Sequence, residues 1–154
     1  MKTNRSLTGV WIPFTGVISF LLLIFLLDPI RVIGWVANPI HKRYAEQYMN
    51  ALARQDYGQA AEALDKRLHN ENDWTERMNR SGITLIRYEG LRVPFDRERM
   101  DGRAWVTLLT DGQEASHTLI LNLSVRGVVQ ACILSAEDSS VAKAWNAIHC
   151  PSIK

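Results

Sequence analysis

The chain has 154 residues, a formal charge of +2, five tryptophans and only two cysteines, which leaves room for one domain of ordinary size plus an appendage. The surplus charge is local: Lys2, Arg5 and Arg31 outweigh Asp28, and from residue 38 onward acids and bases balance. A neutral globular part lacks the electrostatic footprint of a nucleic-acid binder, and two cysteines do not make a disulfide framework.

Residues 1–6 form a short tail ahead of an apolar run at 7–27, interrupted only by Thr8, Gly9, Pro13, Thr15, Gly16 and Ser19. As a helix the run reaches roughly 31 Å at about 1.5 Å per residue, enough to cross a hydrocarbon core. Trp11 and Trp35 suit the two interfaces, and Pro13 lies in the first two turns, where a missing N–H costs least. A cleaved signal peptide fits less well, because bulky Trp35 stands two positions before the candidate small residue Ala37. A core helix fits less well still, because 20–27 is apolar around its whole circumference. The expectation is a single-pass anchor held in membrane lipid, with a juxtamembrane segment up to residue 37. Lys2 and Arg5 on one side nearly balance Arg31, Lys42 and Arg43 on the other. Because the first two lie close to the run and the tail is short, the expected orientation has the N-terminus inside and the C-terminal domain outside the cytoplasm.

The globular domain is expected over 38–154. Asn38-Pro39 reads as an N-cap followed by a first-turn proline, opening a helix with Tyr44, Ala45, Tyr48, Met49 and Leu52 on one face. Asp56 with Gln59 has the spacing of a capping box for a second helix. Asp73 with Glu76 repeats that spacing for a third, containing Trp74 and Met78 and stopped by Gly82. The period then changes to two. Residues 83–95 read as a strand with Gly90 or Pro94 marking a bulge or an edge. Asp101-Gly102, Asp111-Gly112 and, more weakly, Arg126-Gly127 read as hairpin turns. In "SHTLILNLSV" His117, Leu119, Leu121, Leu123 and Val125 share one face. A last short helix is expected over about 139–148. The fold class is α+β, with three helices packed on a curved four-stranded antiparallel sheet and a short C-terminal helix added.

This order of elements, with the helix-pair junction Arg54-Gln55-Asp56-Tyr57 inside "YAEQYMNALARQDYGQAAEAL", resembles the opening of the NTF2-like (cystatin-like, cone-shaped) superfamily over about 42–135. Two features depart from its pattern: 67–73 is too short for the extra hairpin of larger members, and the final helix is not a standard part. The resemblance implies a cone-shaped pocket between sheet and helices. It is similar in this to small membrane-anchored bacterial envelope proteins and to domains of envelope and conjugation machinery.

Some members of the superfamily are isomerases or dehydratases, which need an acid/base residue with a tyrosine in an apolar cone. His117 is the candidate for that role. Tyr44, Tyr48, Trp74 and Tyr88 are the further pocket candidates, and Trp105 and Trp145 could line a ligand site with Trp74. For tyrosines four apart on a buried helix face and for single tryptophans in a small core, packing is the leading expectation. No histidine has a partner at metal-ligand spacing and no glycine-rich phosphate loop occurs, so no metal or cofactor is expected. Arg87, Arg92, Arg97, Arg99 and Arg103 alternate with Glu89, Asp96, Glu98 and Asp101. That pattern suits a solvated, ion-paired hairpin surface or a partner-docking edge. Cys132, in the last strand, and Cys150, after the last helix, could pair in an exported domain. The leading expectation is a non-enzymatic binding module for an envelope protein partner or a small apolar ligand. Its rivals are a membrane-tethered enzyme using His117 and a scaffold subunit of an envelope complex.

Overall fold

The computed structural model describes residues 17–20, 22, 23, 26, 29–93, 101–134 and 139–150. The chain divides into two units, Met1–Val36 and Ala37–Lys154. In the first, Val17–Phe20, Leu22, Leu23 and Leu26 are helical, and Phe20 and Leu26 are well exposed. Among the described residues no helix is long and apolar enough to cross a membrane; most of the expected span at 7–27 lies outside them.

Helix α1 runs Pro29–Ala53, with Pro39 inside it. The expected start at Asn38 is therefore corrected. Running through the proline forfeits one main-chain hydrogen bond and strains one turn, whereas ending one helix and starting another leaves several terminal N–H and C=O groups to be satisfied. On its buried face Ala45, Tyr48, Met49 and Leu52 are fully enclosed, and Tyr44 is half-buried. The helix ends in a Schellman arrangement: Asp56 N–H donates to the Ala51 carbonyl at 2.9 Å and Gln55 N–H to that of Leu52 at 3.0 Å. Gln55 takes the left-handed position that glycine usually fills, at φ 59°. Asp56 then caps helix α2 (Tyr57–Glu62), its carboxylate accepting from Gln59 N–H at 3.0 Å.

Helix α3 spans Glu71–Ser81 and is capped by Asn70, which accepts from the N–H groups of Asn72 and Asp73. The expected cap at Asp73 is corrected: Asn70 offers the same side-chain oxygen one turn earlier, and Asp73 then favours the positive helix end from inside the first turn. Gly82, at φ 65°, terminates the helix.

Strands β1 (Thr84–Arg92), β2 (Asp101–Thr110), β3 (Gln113–Ser124) and β4 (Gly127–Ile133) form one antiparallel meander in the order β1-β2-β3-β4. Asp111-Gly112 makes the two-residue turn between Thr110 and Gln113, both turn residues having positive φ. Asp101-Gly102 is not a turn: the pair lies within β2, opposite Asn122 and Leu121. A Cβ on Gly102 would meet a Val93 methyl at 3.3 Å and the Arg92 carbonyl at 3.4 Å, so glycine serves close packing here. Pro94 and the link at 94–100 lie outside the described residues. The weaker turn is displaced by one position. Val125-Arg126 connects Ser124 to Gly127, and Val125 is exposed rather than part of the apolar face. Helix α4 (Ser140–His149), capped by Ser139, closes the fold.

The helices and one sheet face share a core containing Met78, Leu85, Val106, Leu108, Leu119 and Leu121. The architecture is α+β. The two sheet edges differ. At β4, Val128 N–H donates to the Ala63 carbonyl and the Val128 carbonyl accepts from Asp65 N–H, a one-residue parallel bridge. Further along, the Val129 carbonyl accepts from His69 Nε2 at 2.6 Å and the Ala131 carbonyl from Trp145 Nε1 at 2.8 Å. The Asn146 carboxamide pairs with both main-chain groups of Ile133, at 2.7 and 3.0 Å, as a neighbouring strand would. Among the described residues β1 is paired on one side only, and it carries two bulges together with exposed Arg87, Glu89 and Arg92. Bulges and charges discourage chance pairing at an edge.

Candidate functional site

Two features of the second unit have the character of a site: an aromatic centre inside the core and an exposed tryptophan on the opposite sheet face.

The centre joins three helices. Tyr48 comes from α1, Trp74 from α3, and Trp145 and His149 from α4; all four are at most 2 % exposed. The i, i+4 spacing stacks Trp145 and His149 at 3.9 Å between ring centroids, nearly parallel at 12°. Trp74 meets His149 edge-on at 5.5 Å, and Tyr48 lies 6.1 Å from Trp74 and 6.5 Å from His149. These are ordinary separations for packed aromatic rings. His149 Nδ1 lies 2.9 Å from the Trp145 carbonyl. A carbonyl only accepts, so Nδ1 carries the proton and Nε2 is left as an acceptor. Burial lowers the His149 pKa to about 3, and nearby His69 and Arg77 push the same way, while the bond to the Trp145 carbonyl opposes. The ring is thus neutral at physiological pH. Burial also raises the Tyr48 hydroxyl well above the ordinary tyrosine range.

The sequence-predicted residues divide between this centre and its surroundings. Tyr48 and Trp74 belong to it as packed core. Tyr88 sits at the junction of β1 with α1, its hydroxyl donating to Asn50 Oδ1 at 2.8 Å; burial and then Glu46 raise its pKa. His117 stands in one cross-strand row with Val106 and Tyr88, Val106 between them. His117 is half-buried, and its Nε2 is buried without a partner. The structure therefore does not bring His117 and a tyrosine hydroxyl together. The inner sheet face, where a cone-shaped pocket was expected, carries Leu85, Val106, Leu108, Leu119 and Leu121, each at most 1 % exposed. An open groove of about 600 Å³ lies elsewhere, between α2 and α3, lined by Glu62, Glu71, Thr75 and Arg80 among others. None of the candidate residues lines it. Among the described residues no group of three or more His, Cys, Asp or Glu side chains could hold a metal ion.

Trp145, Asn146 and His149 were not anticipated as a set. The signal was present in the i, i+4 spacing of Trp145 and His149 on the apolar face of α4, but only the tertiary contacts give it meaning. Cys132 and Cys150 are joined in a disulfide, with Cα atoms 5.7 Å apart, tying the end of α4 to β4.

On the solvent face of the sheet Trp105 is 65 % exposed. It lies opposite Glu89 on one side and Thr118 on the other, with Gly90 beside its ring. Arg87 Nε donates to Thr107 Oγ1 at 3.3 Å, and Thr107 in turn contacts Ser116 Oγ, forming a polar row next to the tryptophan. Arg103, two residues from Trp105 on β2, is exposed and faces Asp101 at 3.7 Å. A large exposed aromatic ring flanked by arginines has the composition of an interaction surface.

No family model matches this chain, and neither a curated protein nor a solved structure shows significant similarity to it.

Proposed function

We propose that the chain is a single-pass membrane protein of the cell envelope. In this reading an NTF2-like domain, displayed outside the cytoplasm, docks a partner protein through the solvent face of its sheet. The observation that carries the reading is the contrast between the two sides of that sheet. The inner side carries Leu85, Val106, Leu108, Leu119 and Leu121, all closely buried, whereas the outer side presents Trp105 between Arg87 and Arg103. A filled interior favours binding at the surface over binding of a small apolar ligand within. The apolar run at 7–27 supports the anchor.

The test is a photo-crosslinking amino acid placed at Trp105 and, as a control, at Lys143 on α4, in cells expressing the full chain. A discrete adduct from position 105, absent from position 143 and lost when Arg103→Glu is added, is the expected result. Equal labelling from both positions, or none from 105, rejects docking at this face. Protease added to intact cells should remove the domain from a membrane-retained chain; protection until lysis rejects the orientation.

The second reading is a membrane-tethered isomerase or dehydratase. It is favoured by the unpartnered Nε2 of His117 in the Tyr88–Val106–His117 row. That reading requires the Tyr88 hydroxyl to leave Asn50.

A further inference from the structure

Six side-chain polar atoms among the described residues are buried without a hydrogen-bond partner. Three of them, Tyr48 Oη, Trp74 Nε1 and His149 Nε2, are carried by rings in contact with one another. Buried polar groups are nearly always satisfied, by protein or by ordered water, so three in one cluster call for a shared explanation. Their chemistry is complementary rather than random. The indole of Trp74 can only donate, the neutral His149 can only accept at Nε2 because Nδ1 is committed to the Trp145 carbonyl, and the Tyr48 hydroxyl can do either.

We propose that the junction of these three rings holds one internal water molecule, which donates to His149 Nε2 and accepts from Trp74 Nε1 and the Tyr48 hydroxyl. Three hydrogen bonds are the usual complement of a buried water. At ring separations of 5.5 to 6.5 Å the rings are in contact, which leaves no room for a substrate and admits at most a molecule of water's size beside their polar atoms. The site joins α1, α3 and α4, so the water links the last helix to two of the three that precede the sheet. It does not depend on docking at Trp105.

The test uses the full-length chain, labelled with ¹⁵N, in detergent micelles. Water-selective NOE spectra, recorded so as to separate NOE from chemical exchange, should show a long-lived water beside the Trp74 indole proton. That proton should itself exchange slowly. The His149 ring nitrogens should report the Nδ1–H tautomer with a hydrogen bond accepted at Nε2. In Tyr48→Phe the NOE should be lost or strongly reduced. A slowly exchanging Trp74 indole with no water NOE overturns the proposal, as does a His149 Nε2 with the shift of a free imine nitrogen. An unchanged NOE in a folded Tyr48→Phe protein overturns the three-ring site. Should that variant fail to fold, the two wild-type readouts decide the matter alone.

Discussion

His149 illustrates how one residue can set the response of the domain to acid. Its folded pKa, about 3, lies below the 6.5 of a free histidine because burial excludes the charged ring. Below pH 6.5 the unfolded chain takes up a proton that the folded chain refuses. Stability therefore falls as pH drops from about 6.5 towards 3, by up to about 1.4 kcal/mol per pH unit. Burial lowers His41 as well, which adds in the same direction. Urea unfolding between pH 7 and 4.5 should show this slope, and His149→Phe should reduce it by about one proton; an identical slope in the variant would mean that His149 is not held neutral. Gly127 acts through shape instead. A Cβ there would lie 2.5 Å from the Ala63 carbonyl oxygen and 2.8 Å from the Leu64 carbonyl carbon, so only glycine lets β4 pair with the segment after α2. Asp65 secures the same corner, accepting from Ser124 Oγ at 2.8 Å and from Arg67 N–H at 3.1 Å.

At the scale of elements, α4 substitutes for a fifth strand. Its contribution to the sheet is concentrated in Asn146, whose carboxamide accepts from Ile133 N–H and donates to the Ile133 carbonyl. Asn146→Ala leaves both groups without these partners, and a loss of about 1–3 kcal/mol is expected. Asn146→Asp keeps the acceptor but sets a carboxylate oxygen against the Ile133 carbonyl in place of the donor, so it should cost at least as much as alanine. Chemical denaturation of the three proteins at pH 7 orders them; equal stability of all three would show that the edge is satisfied in some other way. The opposite edge, β1, has no such cover among the described residues, and its bulges near Ile86 and Gly90 serve in place of one.

For the molecule as a whole, the disulfide ties the C-terminal helix to the sheet across 18 residues of chain. A crosslink closing a loop of about that length stabilises by roughly 3 kcal/mol, through the restriction it places on the unfolded chain. Cys150→Ser should lower the unfolding midpoint accordingly. A dithiol reductant should lower the wild-type midpoint to a similar value and leave the variant unchanged. A wild-type midpoint insensitive to full reduction would remove the crosslink from the account of stability. An exported domain would keep the bond oxidised, which connects this measurement to the orientation proposed for the chain.

The sequence by itself determined the α+β class, the order of helices and strands, the meander, the Asp56 cap, the Gly82 stop and the Asp111-Gly112 turn. Each of these follows from periodicity or from backbone preferences that act over a few residues. It misplaced the features in which a local signal competes with a wider balance. Pro39 reads as a helix start until the cost of two extra helix ends is counted, and Asp101-Gly102 reads as a turn until the crowding around Gly102 is seen. Core packing of Tyr48 and Trp74 is already the leading expectation from the sequence, and both are fully buried. Tertiary structure alone decided that the Tyr88 hydroxyl goes to Asn50, that His149 is buried and neutral, and that Asn146 completes the sheet. Those outcomes depend on contacts between residues far apart in the chain, which no local pattern encodes.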